Sequence, residues 1–252
     1  VLALLPLGAA PAAAGAFLLE EGQTQIIATA RFSGAAAEFD AYGRVKPLPD
    51  YRKFELTALA EYGLTRDLTL ILQSAVEDVR SRSGDGAHEA GLGVSALGGR
   101  MRLLNFGGSV LSVQAVALLP GSVGGTGLDE TRRAGADVRL LAGKPFAVFG
   151  RSGFVSFEAG YRVRLGGLEE WRAEATMGLR PSPSWLLLSQ AYFTAAPRDE
   201  FGRRNVLRLK SDISVVYRLS PRWSAQAGYG ATVYGHAAAR EAGPFMAAWS
   251  RF

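Results

Sequence analysis

Alternation of apolar and polar residues is the feature that most restricts how this chain can fold. In residues 206–219, every second residue from Leu207 to Leu219 is apolar except for Ser211, and the residues between them are mostly polar or charged. Successive side chains of a strand point to opposite faces, whereas a helix would spread these charges around its whole surface. The segment is therefore predicted to be a strand with one apolar and one polar face.

The same alternation returns along most of the chain and predicts twelve strands. Its phase slips near Leu97-Gly98-Gly99, which predicts a β-bulge in the fourth strand. The predicted strands are 23–33, 52–64, 68–79, 90–104, 109–119, 134–144, 153–164, 171–180, 185–194, 206–219, 223–235 and 244–252.

Short and long connections alternate between these strands. This pattern predicts an antiparallel meander that has its turns at one end, its loops at the other and both termini at the turn end. The short connections are 65–67, 105–108, 145–152, 181–184 and 220–222, and the long ones are 34–51, 80–89, 120–133, 195–205 and 236–243, with a modest one at 165–170.

The N-terminus has the composition of a secretory signal peptide. Residues 1–19 carry no charge, and an apolar stretch from Val1 to Leu7 is followed by small residues that end in Ala12-Ala13-Ala14. An apolar core followed by an A-x-A element is typical of such a signal and its cleavage site. We therefore predict a signal peptide over 1–14, which is removed, and one domain over 15–252. The alternative is an Ala-rich disordered tail.

Alternation alone does not show which face meets water, because a soluble sandwich buries its apolar face and a membrane barrel exposes it to lipid. Strands of about ten residues or more are long enough to cross a bilayer when tilted. The short turns and longer loops, and a polar face that also holds many Gly and Ser, favour the membrane. Aromatic residues at strand ends on the apolar face are typical of interfacial girdles: Phe32, Phe54, Tyr62, Tyr161, Trp171, Trp185, Phe193, Tyr217 and Trp223.

The predicted fold is therefore all-β: a single antiparallel transmembrane β-barrel of about 12 strands in the outer membrane of a Gram-negative bacterium. Its turns are predicted to be periplasmic and its longer loops extracellular. The longest loop, 34–51, carries Arg44, Lys46 and a Pro47-Leu48-Pro49 stiffener. It can fold into the mouth of the barrel, or it can contact lipopolysaccharide phosphates.

The last strand carries a resemblance to a known family. The chain ends Pro244-Phe245-Met246-Ala247-Ala248-Trp249-Ser250-Arg251-Phe252, an amphipathic segment with a terminal aromatic residue. It resembles the assembly signal of bacterial outer-membrane barrels, although Ser250 departs from the usual apolar pattern. The resemblance implies recognition of Phe252 by the barrel assembly machinery. More loosely, the chain is similar to small uncharacterised outer-membrane transporters, including those grouped with phenol-degradation pathways.

The polar face of the predicted strands would line the lumen, where charge costs less free energy than it does against lipid. Arginine is in excess there, and guanidinium groups bind carboxylate and phosphate through paired hydrogen bonds. Passive diffusion of small polar or anionic solutes is the predicted function. The alternative is a structural barrel that is plugged by its own salt-bridge network and scaffolds an envelope partner. The candidate lumen and solute-binding residues are Arg139, Glu158, Arg162, Arg172, Glu174, Arg208 and Lys210.

Other functions have weaker support in the sequence. The chain contains no Cys, and its two His residues, His88 and His236, fall in predicted external loops near Asp85, Glu89 and Glu241. Loop histidines without a recognisable serine nucleophile make a lipid-modifying enzyme the lesser alternative. We expect no cofactor and no metal site.

The sequence pI of about 9.7 does not indicate nucleic-acid binding, because the basic residues alternate with apolar ones instead of clustering. The expected partners are outer-membrane lipid, lipopolysaccharide and a small solute.

Overall fold

A computed structural model describes residues 15–81, 88–123, 132–166, 168–198 and 204–252. The predicted signal peptide over 1–14 and Asp85 lie outside the described residues. The strands are β1 (Thr24–Phe39), β2 (Val45–Thr65), β3 (Leu68–Ser81), β4 (His88–Leu92), β5 (Ser95–Phe106), β6 (Ser109–Leu119), β7 (Gly135–Val148), β8 (Arg151–Arg164), β9 (Leu168–Ser182), β10 (Trp185–Arg198), β11 (Arg204–Arg218), β12 (Trp223–His236), β13 (Ala238–Ala239) and β14 (Ala242–Arg251).

These strands form one closed antiparallel barrel, so the predicted fold class is confirmed. Strands β4 and β5 pair in succession with β3 and act together as one strand of the wall. Strand β13 adds only a short pairing with the end of β1. The barrel closes because β1 pairs with β2 on one side and with β14 on the other, which leaves twelve strands around the wall. Among the described residues, no helix is long and apolar enough to cross a membrane.

The wall exposes its apolar face and buries its polar one. Large apolar side chains point outward along the strands, with Leu72 52%, Ile213 69% and Met246 64% exposed. Charged side chains lie inside, where Asp137 is 1% and Asp212 3% exposed. A surface of this kind is stable against lipid and not against water. The arrangement is that of the predicted outer-membrane barrel.

Aromatic side chains pair across neighbouring strands near the ends of the wall. The ring centroids of Tyr161 and Trp171 are 4.7 Å apart, and those of Trp185 and Tyr217 are 4.6 Å apart. The two pairs lie at opposite ends of the barrel, one beside a loop and one beside a turn. Such positions match the interfacial aromatic belts of membrane barrels.

The predicted loop 34–51 is wrong, because most of it is paired strand. Strand β1 continues to Phe39 and β2 starts at Val45, so the connection is a turn over residues 40–44 at the tip of a long hairpin. The hairpin tip is hydrogen-bonded to the segment after β12. Ala237 N donates to Asp40 O at 3.0 Å, and Arg240 N donates to Ala37 O at 2.9 Å. Backbone pairing beyond the bilayer leaves no strong apolar alternation, so the sequence pattern missed it.

Two further local predictions are wrong. The connection 145–152 is shorter than expected, since β7 runs to Val148 and a tight turn at Phe149 and Gly150 leads into β8. Leu97 to Gly99, where the irregularity is predicted, pair regularly on both sides; the register shifts instead at residues 93–94, between β4 and β5, and again between Arg102 and Leu104. Glycines occur at 93 and at 98–99, and only the pairing partners show which of them interrupts the strand.

The segment before β1 lies inside the barrel at the turn end. Ala16 and Leu19 are buried, Ser112 Oγ donates to Ala16 O at 2.9 Å, and Arg100 Nη1 donates to Phe17 O at 3.1 Å. The ring of Phe17 meets that of Phe154 edge-on at 6.0 Å. Phe17 and Ile27 pack against an apolar cluster on the inner wall that comprises Phe154, Leu186, Leu188, Val216, Ala247 and Trp249. Backbone and apolar side chains therefore occupy the turn-end interior.

Candidate functional site: the charged lumen

Contacts that skip a strand identify the inner face of the wall. Arg31 on β1 pairs with Asp212 on β11, although β14 and β12 lie between those strands. Arg139 on β7 pairs with Glu174 on β9, across β8. Side chains on the concave surface of a closed wall converge in this way. The polar face of these strands is therefore the lumen face.

Arg139 lies at the centre of a cluster on β7, β8 and β9. Its guanidinium contacts Asp137 at 2.7 Å, Glu158 at 3.1 Å and Glu174 at 2.7 Å. Three carboxylates around one largely buried arginine provide strong charge-assisted hydrogen bonds. They also hold its side chain in one position across the wall.

Asp137 joins the other arginines to this cluster. It lies 2.9 Å from Arg162 Nε and 3.6 Å from Arg172 Nη1, and Arg172 also lies 3.8 Å from Glu174. The structure thus brings together five of the seven candidate residues: Arg139, Glu158, Arg162, Arg172 and Glu174. Asp137 has the lumen parity in the sequence, but we did not choose it as a candidate.

Glu170 is a member that the sequence reading missed. Its carboxylate lies 3.5 Å from Arg164 Nε and 3.9 Å from Arg162 Nη1. The alternating pattern predicts a connection over 165–170, whereas β9 starts at Leu168. The signal was present, because counting back by two from Glu174 and Arg172 leads to Glu170.

Gly160 makes room for the central arginine. A Cβ atom at this position would lie 2.5 Å from Arg139 Cγ and 2.6 Å from Val138 O. Because β8 carries no side chain there, Arg139 can cross it and reach Glu174 on β9. The absence of a side chain at Gly160 therefore makes the contact between Arg139 and Glu174 possible.

Four arginines occupy one row of paired residues across the wall. Arg208, Arg172, Arg139 and Arg100 lie on β11, β9, β7 and β5, and the intervening strands place Thr194, Gly160 and Gln114 in the same row. The row continues to Thr69, which is near the turn at the start of β3. Strands of a barrel tilt by about 35–45° from its axis, so a row perpendicular to them descends as a spiral. The arginines therefore follow a path from the loop end towards the buried segment at the turn end.

Lys210 and Arg208 lie apart from the central cluster, on β11. Lys210 Nζ is 2.7 Å from Glu241, which precedes β14 and is buried. The side chain of Arg208 is partly buried. We placed Glu241 beside a loop histidine, whereas its partner is this lumen lysine. The seven candidates thus form one cluster on β7–β9 and a second group on β11.

The two histidines have local partners outside the lumen cluster. His88 begins β4, and its Nε2 lies 3.2 Å from Asp78 Oδ2. His236 ends β12, and its Nε2 lies 2.7 Å from the hydroxyl of Tyr234. In the part of the chain that the structure describes, no three His, Cys, Asp or Glu side chains are placed to hold a metal ion.

The fold and the charged interior define a β-barrel of the bacterial outer-membrane class. The crystal structure of the COG4313 outer membrane channel from Pseudomonas putida F1 has a TM-score of 0.69 and 15% identity, and the alignment covers 93% of this chain and 97% of that one. The translocator domain of the autotransporter NalP from Neisseria meningitidis has a TM-score of 0.52 and 13% identity, with 93% and 90% covered. The NanC porin has a TM-score of 0.52 and 7% identity, with 88% and 98% covered.

At these identities the likeness shows the fold of the chain. No protein-family model matches the chain, and no curated protein matches it.

Proposed function

We propose that this protein is an outer-membrane channel for the passive diffusion of small polar solutes, with a preference for anions. The row of Arg208, Arg172, Arg139 and Arg100 carries the proposal. Guanidinium groups attract carboxylate and phosphate, and rings of arginine select anions in pores. Two of the similar structures, a channel and a porin, support this function.

The carboxylates of the cluster have a role in this mechanism. Asp137, Glu158 and Glu174 hold the arginines in place and compete with a passing anion for them. Conduction requires sites that bind strongly enough to attract a solute and weakly enough to release it. The mechanism needs neither chemistry nor a cofactor, because the solute crosses by diffusion alone.

Single-channel conductance of the refolded protein in a planar bilayer, with a salt gradient across it, tests the proposal. We expect steady openings and a reversal potential that indicates anion preference. Charge reversal in the cluster, by Arg162→Glu with Arg172→Glu, should weaken this preference. Arg66→Glu, in the exposed β2–β3 turn, is the matched control and should leave it unchanged. Equal permeability of anions and cations in the unmodified protein would contradict the role of the arginines.

A plugged barrel that scaffolds an envelope partner is the second candidate, and one observation favours it. The buried segment around Ala16 and Leu19, together with the apolar cluster on the inner wall, fills the turn-end interior. A silent bilayer from a verifiably folded barrel would establish this alternative. Co-purification of the intact protein from envelope membranes would then identify the partner.

The lipid-modifying alternative depends on His88 and His236. Among the described residues, the ring of neither histidine contacts a serine hydroxyl, since their partners are Asp78, Tyr234 and the backbone of Ala41. Lipid hydrolysis that is lost on replacing either histidine would support an enzyme. Unchanged lipid after incubation with the folded protein would exclude it.

Two partners proposed from the sequence stay predictions. The ring of Phe252 is 58% exposed, which leaves it accessible to the assembly machinery. Its backbone exchanges hydrogen bonds with Thr24, at 2.7 and 3.0 Å. Lipopolysaccharide would meet Arg52 and Arg80, which face each other as a cross-strand pair with exposed side chains near the loop end of β2 and β3.

A further inference from the structure

Two arginines at the turn end of the lumen, Arg180 and Arg218, differ from the other lumen arginines. Arg31 and Arg139, and Arg100 nearer the turn end, each contact a carboxylate. Across the five described ranges, no carboxylate forms an ion pair with Arg180 on β9 or with Arg218 on β11. Instead, Arg180, Arg218 and Arg251 all lie at the turn end of the barrel, on β9, β11 and β14, where the like charges of Arg218 and Arg251 repel that of Arg180.

These side chains project from the lumen face near the turn-end opening. Arg180 has the parity of Arg172 and Glu174 on β9, and Arg218 has the parity of Asp212 on β11. Each lies within two residues of the end of its strand at the turn side. The apolar cluster of Phe154, Leu186, Leu188, Val216, Ala247 and Trp249 occupies the neighbouring lumen positions, and Trp249 lies in the same row of paired residues as Arg218. The pair therefore faces the periplasmic mouth and not the central cluster.

Arg251 is the third member of the group and is held by other residues. Its Nη2 donates to Gln25 Oε1 at 2.7 Å, and the charges of Glu61 and Glu20 attract it. Residues on the same side of the barrel thus compensate the positive charge of Arg251. Arg180 and Arg218 are the two members whose charges the described protein does not neutralise.

Two like charges near each other cost free energy, which bulk water only partly screens. A bound anion removes this cost and replaces it with attraction. Carboxylate and phosphate match the planar guanidinium fork and accept paired hydrogen bonds from it. Guanidinium groups on β9 and β11 together provide donors for both oxygens of a carboxylate or for several oxygens of a phosphate.

We propose that Arg180 and Arg218 form an anion-binding site at the periplasmic mouth that takes the carboxylate or phosphate group of a small solute. As the exit site of the channel, it rests on the proposed function. The binding itself requires no conduction. Separate experiments can therefore contradict the anion site and the channel proposal.

Isothermal titration of the refolded full chain with inorganic pyrophosphate at low ionic strength tests the site. We expect binding that weakens about tenfold or more in Arg180→Gln and in Arg218→Gln, because each loses charged hydrogen bonds. Arg66→Gln, at the same end of the barrel, is the control and should bind as the unmodified protein does. The heat-modified gel mobility of each variant confirms that the barrel has folded.

The site is overturned if pyrophosphate does not bind to the unmodified protein, or if both turn-end variants bind it as tightly as the unmodified protein does. Anion-selective conductance in that case leaves the channel intact and removes only the exit site. Specific pyrophosphate binding by a barrel that is silent in a bilayer supports the site and removes the channel.

Discussion

Gly160 and Arg139 show how a residue without a side chain positions one with a charge. Arg139 crosses β8 at Gly160 to reach Glu174, and a Cβ atom there would collide with its Cγ. Asp137 then connects Arg139 to Arg162 and Arg172. Each contact depends on its neighbours, so a substitution at either end of the network should weaken the other ion pairs as well.

Gly160→Val should displace Arg139 and break its contact with Glu174. Overpacking of this kind typically costs about 1–3 kcal/mol of unfolding free energy. Urea unfolding of the protein in lipid vesicles, followed by tryptophan fluorescence, measures the loss. Ala159→Val, on the outward face of the same strand, is the control and should have little effect. A Gly160→Val protein as stable as the control would contradict the packing argument.

Arg139→Gln should destabilise the barrel more strongly. The change leaves Asp137, Glu158 and Glu174 without their shared cation, and removing one partner of a buried pair costs about 3–5 kcal/mol. Lys46→Gln breaks an exposed pair with Glu38, which is worth about 0–1 kcal/mol. The same urea unfolding compares the two variants. Equal stabilities would mean that lumen water, and not Arg139, compensates the carboxylates.

At the scale of strands, the structure extends most elements beyond the alternating pattern. Strands β1 and β2 continue past the bilayer as a hairpin, and β9 starts early enough to place Glu170 in the lumen. The alternation in sequence records the part of a strand that has lipid on one face and charge on the other. Beyond that zone both faces meet water or protein, so backbone pairing continues without the pattern.

The tip of the β1–β2 hairpin should respond to acid. The Asp40 carboxylate accepts hydrogen bonds from the backbone N of Arg44 at 2.9 Å and of Tyr42 at 2.8 Å. These bonds, that from Arg44 first, hold the pKa of Asp40 below its usual value. A lowered folded-state pKa stabilises the turn above the unfolded pKa, and this contribution is lost as pH falls through the folded pKa.

We therefore expect the amide resonances of Tyr42 and Arg44 to be constant near neutral pH and to shift together only below about pH 4, the ordinary range of an aspartate. NMR titration of the protein in detergent micelles measures this. Asp40→Asn should abolish the shift while leaving amides in the β2–β3 turn unchanged. A transition at or above the ordinary pKa of an aspartate would show that the hydrogen bonds do not stabilise the carboxylate.

At the scale of the whole molecule, the wall and its contents are organised separately. The wall presents its apolar face to lipid, and the lumen holds a charged middle with an apolar layer at the turn end. The segment before β1 completes this layer through Phe17 and through the buried Leu19. The turn end is therefore the place where the proposed channel would be controlled.

Phe17→Ala combined with Leu19→Ala should increase conductance if the channel proposal is correct. The change removes apolar contacts between the segment and the inner wall, and water can enter the space that they leave. Planar-bilayer recordings at equal protein density provide the comparison. Glu21→Ala, which is exposed near the same segment, should conduct as the unmodified protein does. Unchanged conductance in the double variant would show that the segment does not limit the path.

Much of the site could be predicted from parity, and its pairing could not. On each strand, the lumen-facing candidates are separated by an even number of residues and therefore share the inner face. These residues are Arg139, Glu158, Arg162, Arg172 and Glu174. Their contacts depend on strand register, which varies with every bulge and turn length. The alternating pattern does not identify Glu170 and Glu241 as lumen residues, because they lie where the pattern ends.

The sequence alone determined the closed all-β architecture, the apolar exterior and the charged interior. Parity is local: each side chain faces away from its neighbours, and lipid accepts only one kind of face. The contact of Arg31 with Asp212, 181 residues away, and the filling of the turn-end lumen by residues 16–19 became visible only in the folded barrel. Such contacts follow from closure of the wall, which sets strands distant in sequence opposite each other and leaves no periodic signal in the chain.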